Sequence, residues 1–420
     1  MDVKVYTPYA YFAPEKAASS YLWDNLHEDL AKSGVQCVMY VPTPTRGVSE
    51  TVRTKYTANK KAEVLFDGKL EIHRFSLYRE GKNPFLRAIR YFIQGCYQFV
   101  VGVFGNNVKA CNVIFTGSTP PFMGALAGLI KKLTKKKVVY TLQDVFPDSL
   151  VNNGLTKKGS LLWKIGRVIE NFTYKHADKI IVISEDFKKN IMAKGVPEDK
   201  IAVVYNWVDQ NAVVDVPREE NKLFDKYELD REKFYVTYNG NIGLSQNMEM
   251  LLRVADEFQV LGSKFQDIQF VLVGEGAAID IVRQTIAEKK LKNVHLLPFQ
   301  PYEDISHVFS LGDISLVISK PGTGAASVPS KTWSIMSASR PVLANFDENE
   351  LKSIIEQNNC GIFTQAGDKV AFKEAILKLY ADKELCGKMG QNGRKFIMDN
   401  LTREVGTAKY IEVLKSVAMK

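Results

Sequence analysis

The sequence predicts an α/β protein of two domains in tandem, each a parallel sheet wrapped by helices. Three observations lead there. The chain has 420 residues, more than one hydrophobic core usually spans. Short β-branched runs alternate with helical patterns from end to end, as parallel α/β sheets require. That alternation stops once, at the polar stretch PREENKLFDKYELDREK shortly after Asn206-Trp207-Val208-Asp209, and then restarts. The break gives an N-terminal domain over 1–210 and a C-terminal domain over 211–395, with a last helix over 396–420 able to pack back on the first domain.

In the first domain, strands are expected at 3–6, 36–41, 70–75, 113–116, 137–142 and 179–183, with helices such as 19–33 and 161–176 between them. In the second, they are expected at 235–238, 269–273, 294–297, 314–318, 342–344 and 361–363. The terminal segment has helical spacing at Phe396, Ile397, Leu401, Val405, Tyr410 and Leu414. Open parallel sheets bind ligands beyond the carboxyl ends of their strands, so the loops leaving these strands are where function is sought.

With 45% hydrophobic and 25% charged residues, the chain is neither disordered nor collagenous. Five scattered cysteines without CxxC spacing argue against a disulfide framework and a zinc knuckle. The opening MDVKVYTPYAYFAP reads as a first strand rather than a secretory leader, and no apolar run has membrane-spanning length. The net charge of +9 is unevenly divided: residues 1–200 hold 30 Lys and Arg against 18 Asp and Glu, while 201–420 hold 26 against 29. The first domain therefore expects an acidic partner, either anionic lipid or a phosphate-bearing substrate. No nucleic-acid-binding motif accompanies the charge.

The sharpest local signal is YNGNIGLSQNMEMLLRVADEF at 238–258. A strand runs into Asn239-Gly240-Asn241-Ile242-Gly243 and a helix begins near Asn247, so small residues let an anion approach a helix N-terminus. The same stretch also reads as a plain strand-to-helix turn. A second glycine turn, Gly274-Glu275-Gly276, follows the next strand, and neither turn fits GxGxxG or the P-loop. In SKPGTGAASVPSKTWSIMSASRPVLA at 319–344, Ser330 has N-cap chemistry and Lys331 stands in the first helical turn, against the helix dipole. A cation placed there serves a phosphate or simply faces solvent.

In the first domain, Asp144 follows the strand KKVVYTLQ, where it either orients and deprotonates an acceptor hydroxyl or acts as a turn residue before Pro147. Ser118 and Thr119, in the loop Gly117-Ser118-Thr119-Pro120-Pro121, are suited to an acceptor's sugar or phosphate, and Glu15 and Arg46 are candidates for the same site. His27, His73, His176, His295 and His307 show no metal-ligand spacing, and Asp144 and Asp148 form no DxD pair. No metal is expected. No GxSxG supports a serine hydrolase.

The order of a strand with GNxG, a strand with VGEG, and a PSK loop with helix and RPV strand resembles the donor domain of GT-B glycosyltransferases, most closely family 4. The segments VISEDFKKNIMAKGVPEDKIAVVYNWVD, LQDVFPDSLVNNG and TPYAYFAPEKAASSYLWDNLHEDLAKSGVQCVMY resemble the family's acceptor domain. The resemblance implies two Rossmann-like parallel-sheet domains facing a central cleft. It also implies sugar transfer from a nucleotide diphosphate with retention of configuration. Two departures stand out. Where many members hold the diphosphate with an Arg and a Lys, this chain has Asn241 and Gln246; where many have two glutamates seven residues apart, it has Ala326 and Ser334. The diphosphate is then expected to fall to Lys331, with Ser330, Lys320 and the amides of Gly240 to Gly243, and the contact to the donor ribose is unassigned. The full set of donor candidates is Gly240, Asn241, Gly243, Gly274, Glu275, Gly276, Lys320, Ser330, Lys331 and Ser334.

Two further stretches concern membranes. GKNPFLRAIRYFIQGCYQFVVGVF at 81–104 reads as a core helix or as an interfacial one with basic flanks. GALAGLIKKLTKKK ends in Lys131, Lys132, Lys135, Lys136 and Lys137, a solvated helix end or a patch for anionic lipid. The expectation is a hexosyl- or N-acetylhexosaminyltransferase without metal or cofactor, using a nucleotide-sugar donor with UDP as carrier. Its acceptor is a polyprenyl-diphosphate-linked glycan, in surface polysaccharide assembly, and its location is cytoplasmic, peripheral at the inner membrane face. A nucleotide-sugar 2-epimerase of the same fold and a non-catalytic subunit of a polysaccharide assembly complex remain as alternatives.

Overall fold

The computed structural model describes residues 3–15, 20–58, 61–81, 83–152, 155–324 and 328–419. The chain divides into two units, Met1–Trp207 with Arg403–Lys420, and Val208–Thr402.

The first unit's sheet has eight strands: β1 Lys4–Pro8, β2 Gln36–Pro42, β3 Glu63–Leu65, β4 Leu70–Phe75, β5 Val113–Gly117, β6 Lys137–Leu142, β7 Lys179–Val182 and β8 Ile201–Val203. Their order is β3-β4-β2-β1-β5-β6-β7-β8. All pairings are parallel except β3 with β4. The expected strands omit β3 and β8, because three residues are too few to show a period. Val5, Val113 and Val139 are wholly buried, and the helix Ser20–Lys32 lays Leu22, Leu26 and Leu30 on the sheet at helical spacing. Each such leucine contributes about 1.5–3 kcal/mol.

The helix Arg403–Ala418 completes this unit. Tyr410 packs edge-on against Phe115 and Trp207, and its hydroxyl lies 3.0 Å from Thr141 Oγ1. Arg403 grips Asp29 at 2.7 and 2.8 Å and Glu28 at 2.8 Å. The return point differs from the expected 395/396. Phe396 stacks on Trp333 and the helix Lys383–Asn400 stays with the second unit, so the apolar pattern of the terminal segment belongs to two helices with different cores.

The second unit's sheet is wholly parallel: β9 Phe234–Asn239, β10 Ile268–Val273, β11 Val294–Leu297, β12 Ile314–Ile318, β13 Val342–Phe346 and β14 Gly361–Gln365, in the order β11-β10-β9-β12-β13-β14. In each sheet the chain winds outward both ways from one central pair, β1/β5 in the first and β9/β12 in the second. Loops leaving such a pair diverge to opposite sides and open a crevice beyond the strand ends.

Candidate active site

In the second unit the crevice lies between Asn239-Gly240, leaving β9, and Ser319-Lys320, leaving β12. The two glycine turns lock together. Gly240 N donates to Val273 O at 2.9 Å and Ile242 N to Glu275 O at 2.8 Å, extending the β9/β10 ladder into the loops. This close approach needs glycine: Gly274 stands at φ +148°, and a Cβ there would lie 2.0 Å from Gly240 O. The expectation that the amides of Gly240 to Gly243 cradle phosphate is narrowed by this packing to that of Asn241. Those of Gly240 and Ile242 are spent on the ladder, and that of Gly243 donates to Gln246 Oε1 at 3.0 Å. Asn241 is exposed and its carbonyl accepts the Tyr238 hydroxyl at 2.6 Å; Glu275 points to solvent; Gly276 packs against Ile242.

Lys331 is the outstanding group. It opens the helix Lys331–Ser337, its Nζ sits 3.8 Å from the centroid of the buried Tyr238 ring, and a Cβ on Gly240 would meet that Nζ at 3.3 Å. No carboxylate among the described residues pairs with it, and desolvation pulls its pKa down to about 7. Asn239 Oδ1 at the end of β9, Ser319 Oγ just beyond β12 and Thr332 Oγ1, next to Lys331 in the chain, are buried without a hydrogen-bond partner. Asp347 holds the neighbouring loop by accepting the amides of Gly322 and Gly324 at 2.9 and 2.7 Å.

The remaining donor candidates lie around this lysine. Lys320 is exposed at the rim, its amide donating to Ser245 O at 2.7 Å. Ser330 occupies the N-cap position with helical dihedrals and makes no side-chain capping bond, which corrects its expected role as a cap. Ser334 is partly buried one turn further on. Ala326 lies outside the described residues. Sequence reading missed Tyr238, Asn239, Ser319, Thr332 and Asp347, although Asn239 was visible as the polar end of an apolar strand.

In the first unit a cavity of about 260 Å³ opens at the β1/β5 pair, lined among others by Tyr9, Tyr11, Phe12, Glu15, Trp23, Asp24, Arg46, Gly117, Ser118, Thr119 and Gln143. All four acceptor candidates, Glu15, Arg46, Ser118 and Thr119, meet there. Glu15 is 4% exposed. Its Oε1 accepts the amides of Thr45 at 2.7 Å and Arg46 at 3.0 Å, while Oε2 has no partner. Burial pushes its pKa up against the pull of these amides, and burial raises that of Asp24 as well.

Arg46 is engaged within the protein through two of its three guanidinium nitrogens. Its guanidinium bonds both oxygens of Glu80, at 2.7 and 3.2 Å, and lies over the Tyr11 ring, whose hydroxyl also bonds Glu80 at 2.6 Å. Asp144 is exposed on the bend after β6, and its neighbour Gln143 lines the cavity in its place. Asp148 is tied to Lys194 at 2.7 Å, and His27 is a core side chain whose pKa burial lowers to about 4.

The helix Pro84–Phe104 is inside out. Arg90, Gln94 and Gln98 face inward, Gln98 Nε2 donating to Tyr9 O and Tyr40 O at 2.9 and 2.7 Å, while Phe85, Leu86, Phe92, Ile93, Val100 and Phe104 are exposed. The helix Leu161–His176, packed like Pro84–Phe104 against the helix Met123–Thr134, exposes Leu161, Leu162, Ile165 and Val168. Of the basic run, Lys131 is bound to Asp178 at 2.6 Å and Lys136 to two carbonyls; Lys132 and Lys135 are exposed and Lys137 is partly buried. No helix among the described residues is long and apolar enough to cross a membrane.

Comparison with known proteins agrees with this architecture. Residues 20–212 match the family described as Glycosyltransferase Family 4, and residues 219–396 match Glycosyl transferases group 1. The chain is 25% identical over 342 residues to "Probable glycosyltransferase WbjE" of Pseudomonas aeruginosa, covering 80% of this chain and 82% of that one. It is 21% identical over 233 residues to the capsular polysaccharide biosynthesis glycosyltransferase CapM of Staphylococcus aureus, covering 54% and 59%. The crystal structure of Anabaena Alr3699/HepE in complex with UDP superposes with a TM-score of 0.67 at 14% identity, covering 99% of this chain and 100% of that one. The chain belongs to the family 4 glycosyltransferases and has the GT-B fold.

Proposed function

We propose that the protein transfers a sugar, hexosyl or N-acetylhexosaminyl, from a nucleotide-diphosphate sugar to a glycan linked to polyprenyl diphosphate, with retention and without a metal or cofactor. UDP is the proposed carrier and surface polysaccharide assembly the proposed setting, in keeping with the UDP bound by HepE and the capsular role in CapM's name. One observation carries the reading: Lys331, an ammonium desolvated against Tyr238 and Gly240 with no carboxylate among the described residues beside it. A buried unpaired charge is tolerated where a ligand of opposite charge completes it. A diphosphate leaving group is such a ligand, and a fixed cation that meets its developing charge lowers the barrier to its departure. The inventory of a free lysine and unpartnered hydroxyl and amide oxygens at the switch point favours this over a non-catalytic subunit.

The membrane part of the reading rests on the inside-out helix Pro84–Phe104 and on the exposed apolar residues of Leu161–His176, with Lys132, Lys135 and Lys164 among them. An apolar face rimmed by cations suits an anionic bilayer at the cytoplasmic side, where lipid-linked acceptors are built. The test is a thermal-shift screen with UDP, GDP, ADP, CMP and their sugar conjugates, with and without EDTA. A ligand at a hundredfold excess over Kd stabilises the folded state by about 2.7 kcal/mol. Stabilisation by one nucleotide diphosphate that survives EDTA is expected; none with any of them rejects the donor site.

A further inference from the structure

The first unit's cavity has an electrostatic character at odds with a phosphate site. Among the described lining residues the only cation is Arg46, and both of its carboxylate-facing nitrogens are engaged by Glu80. The anions are not so engaged. Glu15 keeps Oε2 without a partner although the side chain is 4% exposed, and no ion pair among the described residues neutralises Asp24. Around them stand the rings of Tyr9, Tyr11, Phe12 and Trp23.

From this lining we infer that the cavity is a sugar-ring subsite selective for uncharged or amino sugars and closed to uronates and sugar phosphates. Aromatic faces pack against the C–H faces of a pyranose, and a desolvated carboxylate oxygen accepts from its hydroxyls or from an ammonium. An anionic sugar would set like charges together at low dielectric. The upward pKa shifts of Glu15 and Asp24, caused by burial, agree with carboxylates that lack a cation among the described residues. The cavity volume of about 260 Å³ admits one sugar ring and little more. Resting on the function proposed above, the inference assigns this subsite to the acceptor's terminal sugar. The diphosphate of a lipid-linked acceptor must then bind elsewhere.

The experiment is saturation-transfer NMR and calorimetry of the full chain with four matched probes: methyl glucoside, glucosamine, glucuronate and glucose 6-phosphate. Glu15→Gln, Asp24→Asn and the double variant are measured alongside. Glu15→Gln retains an oxygen for the Thr45 and Arg46 amides and replaces only the free oxygen, so the loop keeps its anchor. Methyl glucoside and glucosamine are expected to bind, and each variant to weaken glucosamine about tenfold, as loss of a charged hydrogen bond does. The anionic probes are expected to bind only once both carboxylates are removed. Binding of glucuronate or glucose 6-phosphate to the native protein as tightly as methyl glucoside would overturn the inference. So would failure of all four probes to bind, or indifference of the neutral and amino probes to both substitutions. UDP stabilisation in the same samples reports on the donor site separately: its absence with sugar binding intact counts against the proposed transfer and leaves the subsite standing.

Discussion

Replacing Lys331 by methionine separates a residue kept for a ligand from one kept for the fold. The ammonium's pKa is drawn from 10.5 to about 7 by desolvation alone. A displacement of this size corresponds to about 5 kcal/mol between charged and neutral forms, an upper bound because relaxation and water entry reduce it. The sign is fixed by linkage. The folded pKa lies below the unfolded one, so the unfolded chain holds the extra proton between pH 7 and 10.5, and Lys331's penalty is full below about pH 7 and fades as pH rises toward 10.5. Lys331→Met should therefore stabilise the unliganded protein, most at pH 6, raising Tm by about 2–4 °C per kcal/mol for a unit of this size. The same substitution should abolish stabilisation by the nucleotide diphosphate. In the native protein, affinity for the nucleotide sugar should fall toward tenfold per pH unit above about pH 7, since binding must restore the lysine's proton. Differential scanning calorimetry and titration calorimetry in two buffers of different ionisation enthalpy measure both effects. A variant that melts lower than native at pH 6 and still binds UDP normally would refute the reasoning.

Other consequences follow from single contacts. Gly274→Ala puts a Cβ 2.0 Å from Gly240 O at φ +148°; chemical denaturation should show a loss of about 3 kcal/mol or more, with donor binding lost in whatever remains folded. Gly406→Ala drives a Cβ to within 2.4 Å of the Trp207 ring, so limited proteolysis should cut the terminal helix sooner than in the native chain. Replacing Phe85 and Phe92 by serine should reduce sedimentation with phosphatidylglycerol vesicles and leave the UDP thermal shift unchanged; unaltered sedimentation would remove that helix face from the membrane argument. A shift to a smaller species in light scattering would instead assign the face to a second copy of the chain.

The sequence made most of the sheets legible because their strands are buried on both faces. Runs such as YVTYN before Gly240 and ISLVI before Ser319 have no solvent side, so continuous apolar character marks their ends within two residues. The edges were opaque for the opposite reason. β3 has two exposed residues of three, and its place is set by pairing with β4, a contact that local pattern does not encode. The helix Pro84–Phe104 was ambiguous between core and interface because an amphipathic period says that one face is buried without saying which. Gln94 and Gln98 resolve it, since their amides meet the carbonyl of Tyr9 at the end of β1, and Gln98 also that of Tyr40 in β2.

At the site, residue types were legible and their partners were not. Arg46, Lys131, Lys136 and Lys331 all read as cations placed for an anion. Folding answers three of them internally: Glu80 takes Arg46 from 34 residues away, Asp178 takes Lys131 from 47 away, and the carbonyls of Lys109 and Cys111 take Lys136. Lys331 alone of these four keeps no acceptor, because its surroundings are the ring of Tyr238 and the bare α-carbon of Gly240. The glycine turn thus matters less for the amides it offers than for the side chain it omits. Its missing Cβ leaves the ammonium room at the strand end, and Gly240 itself stands at φ +121°, so any larger residue at position 240 should weaken donor binding both by displacing Lys331 and by straining the turn.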